Sequence, residues 1–87
     1  MEDLQAAALD LVRDDYESAA TIQANVAERI GREVSEREVR DALLSLSVAG
    51  LVSVFVFDRS TQRFAKAADK DIASNIELWF HVVGGKV

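Results

Sequence analysis

Hydrophobic positions recur along this chain first at helical spacing and later in short continuous runs. Apolar residues three and four positions apart predict three helices, and β-branched and aromatic runs predict three strands after them. The predicted helices span about residues 2–16, 22–30 and 36–49. The predicted strands span about residues 51–57, 63–66 and 76–83. The pattern therefore predicts one α+β domain over residues 1–87, with a three-helix core followed by a small antiparallel sheet.

Residues that begin and end helices mark the second and third of these helices. Thr21 is a candidate N-cap for the second helix, and Gly31 lies where that helix would end in a left-handed residue. Ser35 and Glu38 form an S-x-x-E pattern, in which each side chain satisfies a free backbone N–H of the other residue. Gly50 then ends the third helix before the first strand. Two helices joined through so short a turn predict a helix-turn-helix.

The order of these signals resembles the winged helix-turn-helix of bacterial transcription regulators of the MarR and PadR kind. The resemblance rests on A-x-x-x-G from Ala27, a polar turn, a capped helix and L-x-x-L-x-x-x-G-L-V from Leu43. It implies a winged-helix fold, in which the third helix reads duplex DNA and the following hairpin forms the wing. It also implies that residues 18–20 form a small first strand.

Net charge opposes the DNA-binding function that this resemblance implies. The chain has a formal charge of −5, and residues 1–31 alone, with seven acids and two bases, carry −5. An acidic surface repels phosphates, whereas a DNA-binding domain usually has a basic stripe. The remaining segments, including the third helix and the hairpin, are close to neutral. A lone domain is therefore expected to bind DNA only weakly.

Five basic residues are the candidates for DNA contact. A helical wheel places Arg37 and Arg40 on the outer arc of the third helix, where an arginine could bind guanine. Arg59, Arg63 and Lys66 lie on the predicted hairpin, where they would meet the phosphate backbone. In an equally simple interpretation, Arg37 and Arg40 only pair with nearby carboxylates at helical spacing.

Exposed apolar residues favour a second function, a winged-helix module that binds protein and not DNA. Leu44 and Val48 share the outer arc of the third helix with the arginines, so this part of the helix is expected to meet protein, either the chain's own wing or another subunit. Phe55 and Trp79 lie in strands with apolar residues on both faces, and Trp79 and its neighbour Phe80 must point to opposite faces. These residues predict an interface with a protein partner or with a second copy of the chain.

Other chemistry has little support in the sequence. There is no cysteine, His81 is the only histidine, and no phosphate-binding loop or nucleophile elbow is present. We therefore expect no catalytic residues, no metal site, no cofactor and no enzymatic activity. No apolar run is long enough to cross a membrane, and the first residues are acidic where a signal peptide is basic, so a cytoplasmic location is expected.

Overall fold

The computed structural model describes residues 2–74 and 76–83, and these residues form four helices and four strands. In chain order they are α1 (Asp3–Leu11), β1 (Glu17–Ser18), α2 (Ala19–Ile30), α3 (Glu36–Val48), β2 (Val52–Asp58), β3 (Arg63–Lys66), α4 (Asp69–Ala73) and β4 (Trp79–Val82). The predicted α+β class is confirmed.

The first helix is shorter than predicted, because it ends at Leu11 and not near residue 16. Val12 is fully buried, and its carbonyl accepts a hydrogen bond from the N–H of Val82, 3.2 Å away. Asp14 and Asp15 follow, and acidic residues at the negative end of a helix dipole do not favour another turn. The apolar residues Val12 and Tyr16, which continue the helical spacing, therefore contact the sheet and are not part of α1.

The second helix begins earlier than predicted, and Thr21 is not its N-cap. Ser18 caps α2: its hydroxyl accepts a hydrogen bond from the N–H of Thr21 (3.3 Å), and the Thr21 hydroxyl oxygen accepts one from the N–H of Ser18 (2.9 Å). Ser18 also ends β1, so the short first strand and the start of α2 share one residue. The helix ends as predicted at Gly31, whose φ of 77° is left-handed.

The predicted caps of the third helix are present. The N–H of Glu38 donates to the Ser35 hydroxyl (3.0 Å), and the N–H of Ser35 donates to the Glu38 carboxylate (2.9 Å). The hydrogen bond from Ser35 and, less strongly, the charge of Arg32 hold the pKa of Glu38 below its ordinary value. After the helix, Gly50 has a φ of 83°, a left-handed conformation that favours glycine.

The four strands form one antiparallel sheet in the order β1-β4-β2-β3. The β2–β3 hairpin occurs as predicted, and β3 has the predicted bounds. The last strand begins at Trp79 and not at residue 76, because residues 76–78 do not pair with the sheet. The glycines expected to end that strand, residues 84 and 85, lie outside the described part of the chain.

The helices cover one face of this sheet. Val52, Val54 and Phe80 are buried on that face, with Phe80 fully inaccessible to solvent. They belong to one core with Leu43 and Leu46 of α3. Trp79 precedes Phe80 in the same strand and is only half-buried, so the two rings lie on opposite faces as predicted.

Candidate functional site

A side-chain hydrogen bond spans the turn between α2 and α3. The side-chain amide of Gln23 donates to the carbonyl of Val34 at 2.8 Å, across the turn that joins the two helices. Val34 itself is buried in the core. The turn is thereby anchored to α2, and α3 begins at the Ser35 cap with its outer face directed away from α1 and α2.

The helix α4 packs against this outer face. Leu44 of α3 and Ile72 of α4 are both partly buried against the core. The guanidinium of Arg40 donates to the carbonyls of Ile72 (3.3 Å), Ser74 (3.0 Å) and Ile76 (3.1 Å). The helical wheel places Leu44 and Arg40 on the outer arc of α3, and in the structure α4 and the residues after it cover that part of the arc.

The part of the outer face that stays open has little net charge. Arg37 has 89% of its side chain exposed, and its Nε lies 4.0 Å from an oxygen of Asp41 one turn later. The shallow groove between α3 and α4 is also lined by Glu36. With Arg40 occupied by carbonyls, one arginine faces two carboxylates here. Val48, at 91% exposure, is the most exposed large apolar residue of the described chain.

The remaining three basic residues proposed to contact DNA lie on the hairpin and are exposed to solvent. Arg59, Arg63 and Lys66 are all exposed. Within residues 2–74 and 76–83, no carboxylate lies within 4.0 Å of their charged groups. The turn is ordered by Asp58, which accepts hydrogen bonds from the N–H (2.9 Å) and hydroxyl (2.7 Å) of Ser60. These bonds hold the pKa of the Asp58 carboxyl below its ordinary value.

An aromatic cluster covers the face of the sheet opposite the helices. Tyr16 stacks on Phe64, with ring centroids 4.1 Å apart, and meets Phe55 edge-on at 4.9 Å. Phe64 in turn contacts Phe57 at 5.3 Å and Trp79 at 5.5 Å. We call this surface, formed by Tyr16, Phe55, Phe57, Phe64 and Trp79, the aromatic face. The predicted interface residues Phe55 and Trp79 are thus half-buried, largely by neighbouring rings.

Sequence reasoning missed two members of the aromatic face. The apolar spacing places Tyr16 in the first helix, although it reaches the sheet from the turn before β1. Phe64 lies in a short polar strand with no alternating pattern, and its pairing with Phe57 across the hairpin places the two on one face. The sequence did contain a signal for this contact, because a hairpin that turns within residues 58–63 brings Phe57 and Phe64 opposite each other.

His81 belongs to the same side of the sheet. Its Nδ1 lies 3.0 Å from the carbonyl oxygen of Val82, and its ring lies 5.2 Å from that of Tyr16. In the described part of the chain, no three residues among His, Cys, Asp and Glu are grouped so that they could hold a metal ion. Among the described residues, the contacts of His81 are thus an aromatic neighbour and a backbone carbonyl.

Comparison with protein-family models, with curated proteins and with solved structures finds no match to this chain. In the part of the chain that the structure describes, no helix is both long and apolar enough to span a bilayer. Function is therefore inferred from the surfaces themselves.

Proposed function

We propose that this chain is a winged-helix domain that binds duplex DNA, of the kind found in small bacterial transcription regulators of the cytoplasm. In this proposal α2 and α3 form the helix-turn-helix, and the β2–β3 hairpin forms the wing. Support comes from the order of elements, from the pairing of β1 with β4 beside β2, and from the packing of α1 on α2 and α3, with α3 in contact with β2 and α2 with β1. The absence of cysteine is compatible with a reducing compartment.

The observation that carries DNA binding is the set of basic side chains on the hairpin that form no ion pair within the described residues. Arg59, Arg63 and Lys66 are exposed, and none forms an ion pair within the described ranges. Such side chains can neutralise phosphates without first breaking an ion pair. The hairpin would therefore supply contacts to the DNA backbone, which fix position and carry little sequence information.

Base recognition would depend on Arg37 alone among the five candidates. Arg40 donates to three backbone carbonyls, and turning it towards a base would leave those carbonyls without its hydrogen bonds. Arg37 is free to move, since its contact with Asp41 is long and exposed. We therefore expect weak binding with modest sequence preference.

A salt titration tests this proposal with matched variants. Binding of a mixed duplex is followed by amide NMR shifts between ~50 and ~200 mM salt. Arg59→Gln and Arg63→Gln should each weaken binding and reduce the slope against log salt by about one unit for each phosphate that is no longer neutralised. Arg13→Gln is the control, because Arg13 is similarly charged but lies after α1 beside Asp10. If no amide in the hairpin or α3 shifts at ~50 mM salt, the DNA proposal fails.

The second candidate, a winged-helix module that binds protein, is favoured by one specific observation. Arg40 is occupied by the carbonyls of the α4 segment, while Glu36 and Asp41 add negative charge to the groove beside it. This arrangement suits a basic or apolar partner better than a phosphate backbone. Failure of the titration above, together with a change of the Val48 and Arg37 signals on addition of a protein partner, would favour this function.

A further inference from the structure

The strand β3 forms one edge of the sheet, and only one side of its backbone faces another strand. In the order β1-β4-β2-β3, it pairs with β2 alone. Its residues are exposed except for the half-buried Phe64. Proteins often block such an edge with a proline or a β-bulge, and Arg63–Lys66 contains neither. The outer side of β3 is therefore accessible to a further strand.

The register of the hairpin decides which backbone groups of β3 face outward. The N–H of Ala67, the residue after β3, donates to a carbonyl oxygen of β2 at 2.9 Å. Because the bonds of an antiparallel pair alternate along each strand, the backbone of Ala65 also bonds to β2. Phe64 and Lys66 then direct their N–H and C=O groups away from β2. In the described part of the chain, no backbone hydrogen bond to these outward groups is seen.

The side chains along this edge are basic. Arg63 and Lys66 lie on β3 itself, and Arg59 lies in the turn before it. Among the described residues, none of the three has a carboxylate within 4.0 Å. Two copies of β3 side by side would bring only basic charges together, so the edge disfavours a second copy. The same charges favour a strand that carries carboxylates.

We propose that the outer edge of β3 binds an extended acidic segment of a partner protein, which adds to the sheet as an antiparallel strand. Such a segment satisfies the outward N–H and C=O groups of Phe64 and Lys66 together. A phosphate backbone would accept hydrogen bonds from the N–H groups but would leave the carbonyls unpaired. This interaction goes beyond the proposed DNA-binding function and does not depend on it.

The alternation of side chains predicts which peptide fits this edge. Directly opposite residues of an antiparallel pair share a face of the sheet. The Nζ of Lys66 lies 5.9 Å from the centre of the Phe55 ring, on the side of the aromatic face. The peptide should therefore place acidic residues opposite Lys66 and Arg63, and an apolar residue opposite Phe64, beside the aromatic face. From its N-terminus the segment reads acid-x-apolar-acid, as in the capped peptide Thr-Glu-Val-Phe-Glu-Thr.

Hydrogen exchange of the wild-type chain tests strand addition, because pairing at an edge protects alternate amides. In the free protein the N–H of Ala65 bonds to β2 and should exchange more slowly than those of Phe64 and Lys66. Saturation with the capped peptide should slow exchange at Phe64 and Lys66 at least fivefold and change Ala65 less. A basic counterpart, with lysine in place of both glutamates, should bind at least tenfold more weakly at low salt. Protection that does not alternate, equal binding of the basic peptide, or no binding at ~1 mM peptide overturns the proposal.

Two substitutions at one position separate the backbone bond from the charge. Lys66→Ala removes the charge but keeps the N–H, and should weaken peptide binding about threefold. Lys66→Pro also removes the N–H, which faces away from β2, so the hairpin keeps its own bonds while peptide binding should weaken at least a further threefold. Arg13→Ala, which removes a charge beside Asp10, is the control and should bind like wild type. Equal binding by the two Lys66 variants contradicts strand addition. Amide NMR spectra verify that each variant is folded, and the exchange measurement does not depend on the proline variant.

The same variants distinguish this proposal from DNA binding. Duplex DNA would contact the side chain of Lys66 and not its N–H, so Lys66→Ala and Lys66→Pro should bind DNA equally. A chain that shows alternate protection with the peptide and no amide shift with DNA supports the strand edge and refutes the proposed function. A chain that binds DNA and not the peptide overturns the strand edge alone.

Discussion

The guanidinium of Arg40 lies 3.0 Å from the carbonyl oxygen of Ser74, a residue 34 positions later in the chain. With its bonds to Ile72 and Ile76, this side chain fastens the segment between α4 and β4 to α3. A residue suited to reading DNA therefore has a structural role here. It also gives a five-residue helix, too short to be stable alone, a fixed place on the molecule.

Replacing Arg40 with methionine should therefore loosen α4. Three partly exposed carbonyls lose a charged donor, so the free energy of unfolding should fall by about 1 to 3 kcal/mol. Urea unfolding measures the loss, and hydrogen exchange should accelerate at Ile72 and Ser74. Arg37→Met, at the exposed neighbouring position, should change stability by less than about 0.5 kcal/mol. Equal effects of the two substitutions would contradict the anchoring role.

Truncation of Leu46 tests the core register. Leu46 is 2% exposed and belongs to the core with Phe80, so Leu46→Ala should cost about 2 to 5 kcal/mol through reduced burial and a new cavity. Val48→Ala, two residues later and 91% exposed, should cost about 0.5 kcal/mol or less. Denaturant midpoints that do not differ between the two variants would show that α3 packs in another register.

The helix caps should be separately measurable. Ser35→Ala removes the acceptor for the N–H of Glu38 and should destabilise the protein by about 1 kcal/mol. Ser35→Asp keeps an acceptor there and should recover most of that loss. Ser18→Ala should cost at least as much, because Ser18 is buried and caps α2. Thermal or urea unfolding compares the three, and a silent Ser18→Ala would assign the α2 cap elsewhere.

Acid should weaken the contact between α1 and α2. The hydrogen bond from Arg29, followed by the charge of Arg29, holds the pKa of Asp10 below its ordinary value of 3.8. Between the lowered and the ordinary pKa the unfolded chain binds more protons than the folded chain, so stability falls as pH falls. The contribution of Asp10 is complete above its ordinary pKa and is lost as pH drops through the folded value.

Denaturant midpoints between pH ~2.5 and ~6 measure this effect across the range in which carboxylates titrate. Asp10→Asn should be less stable than wild type at the upper end of that range and should show a shallower loss in acid. The loss should not vanish, because the pKa values of Glu38 and Asp58 are also lowered by hydrogen bonds. Asp14→Asn, in an exposed turn and outside the ion pairs of the described residues, is the matched control. Parallel curves for Asp10→Asn and wild type would refute this assignment.

Sequence signals predicted those parts of the fold that depend on local chemistry. The Ser35–Glu38 box, the left-handed Gly31 and the β2–β3 hairpin could be predicted because each partner lies within a few residues. Ser18 and Thr21 form a similar pair, but serine and threonine are both common N-cap residues. The sequence alone could not show which of the two begins the helix.

Contacts between distant backbone groups could not be predicted. The partners of Arg40 are carbonyls, which every residue possesses, so no sequence pattern marks them. The turn after Leu11 is likewise set by the bond from Val82 to Val12, 70 positions earlier. Among the candidate site residues, the exposure of Arg37 and the hairpin bases agreed with the helical wheel and the turn chemistry, whereas Arg40 and Leu44 were decided by α4.

The aromatic face has an optical consequence. The chain contains one tryptophan and one tyrosine, and both Trp79 and Tyr16 lie in that cluster, joined through Phe64. Intrinsic fluorescence and near-ultraviolet circular dichroism will therefore report on one side of the sheet and scarcely on the helical core. Quenching by acrylamide should therefore follow the exposure of this cluster, while peptide-bond circular dichroism follows the helices. Fluorescence and circular dichroism of one sample can thus distinguish a change at the sheet surface from a change in the helices.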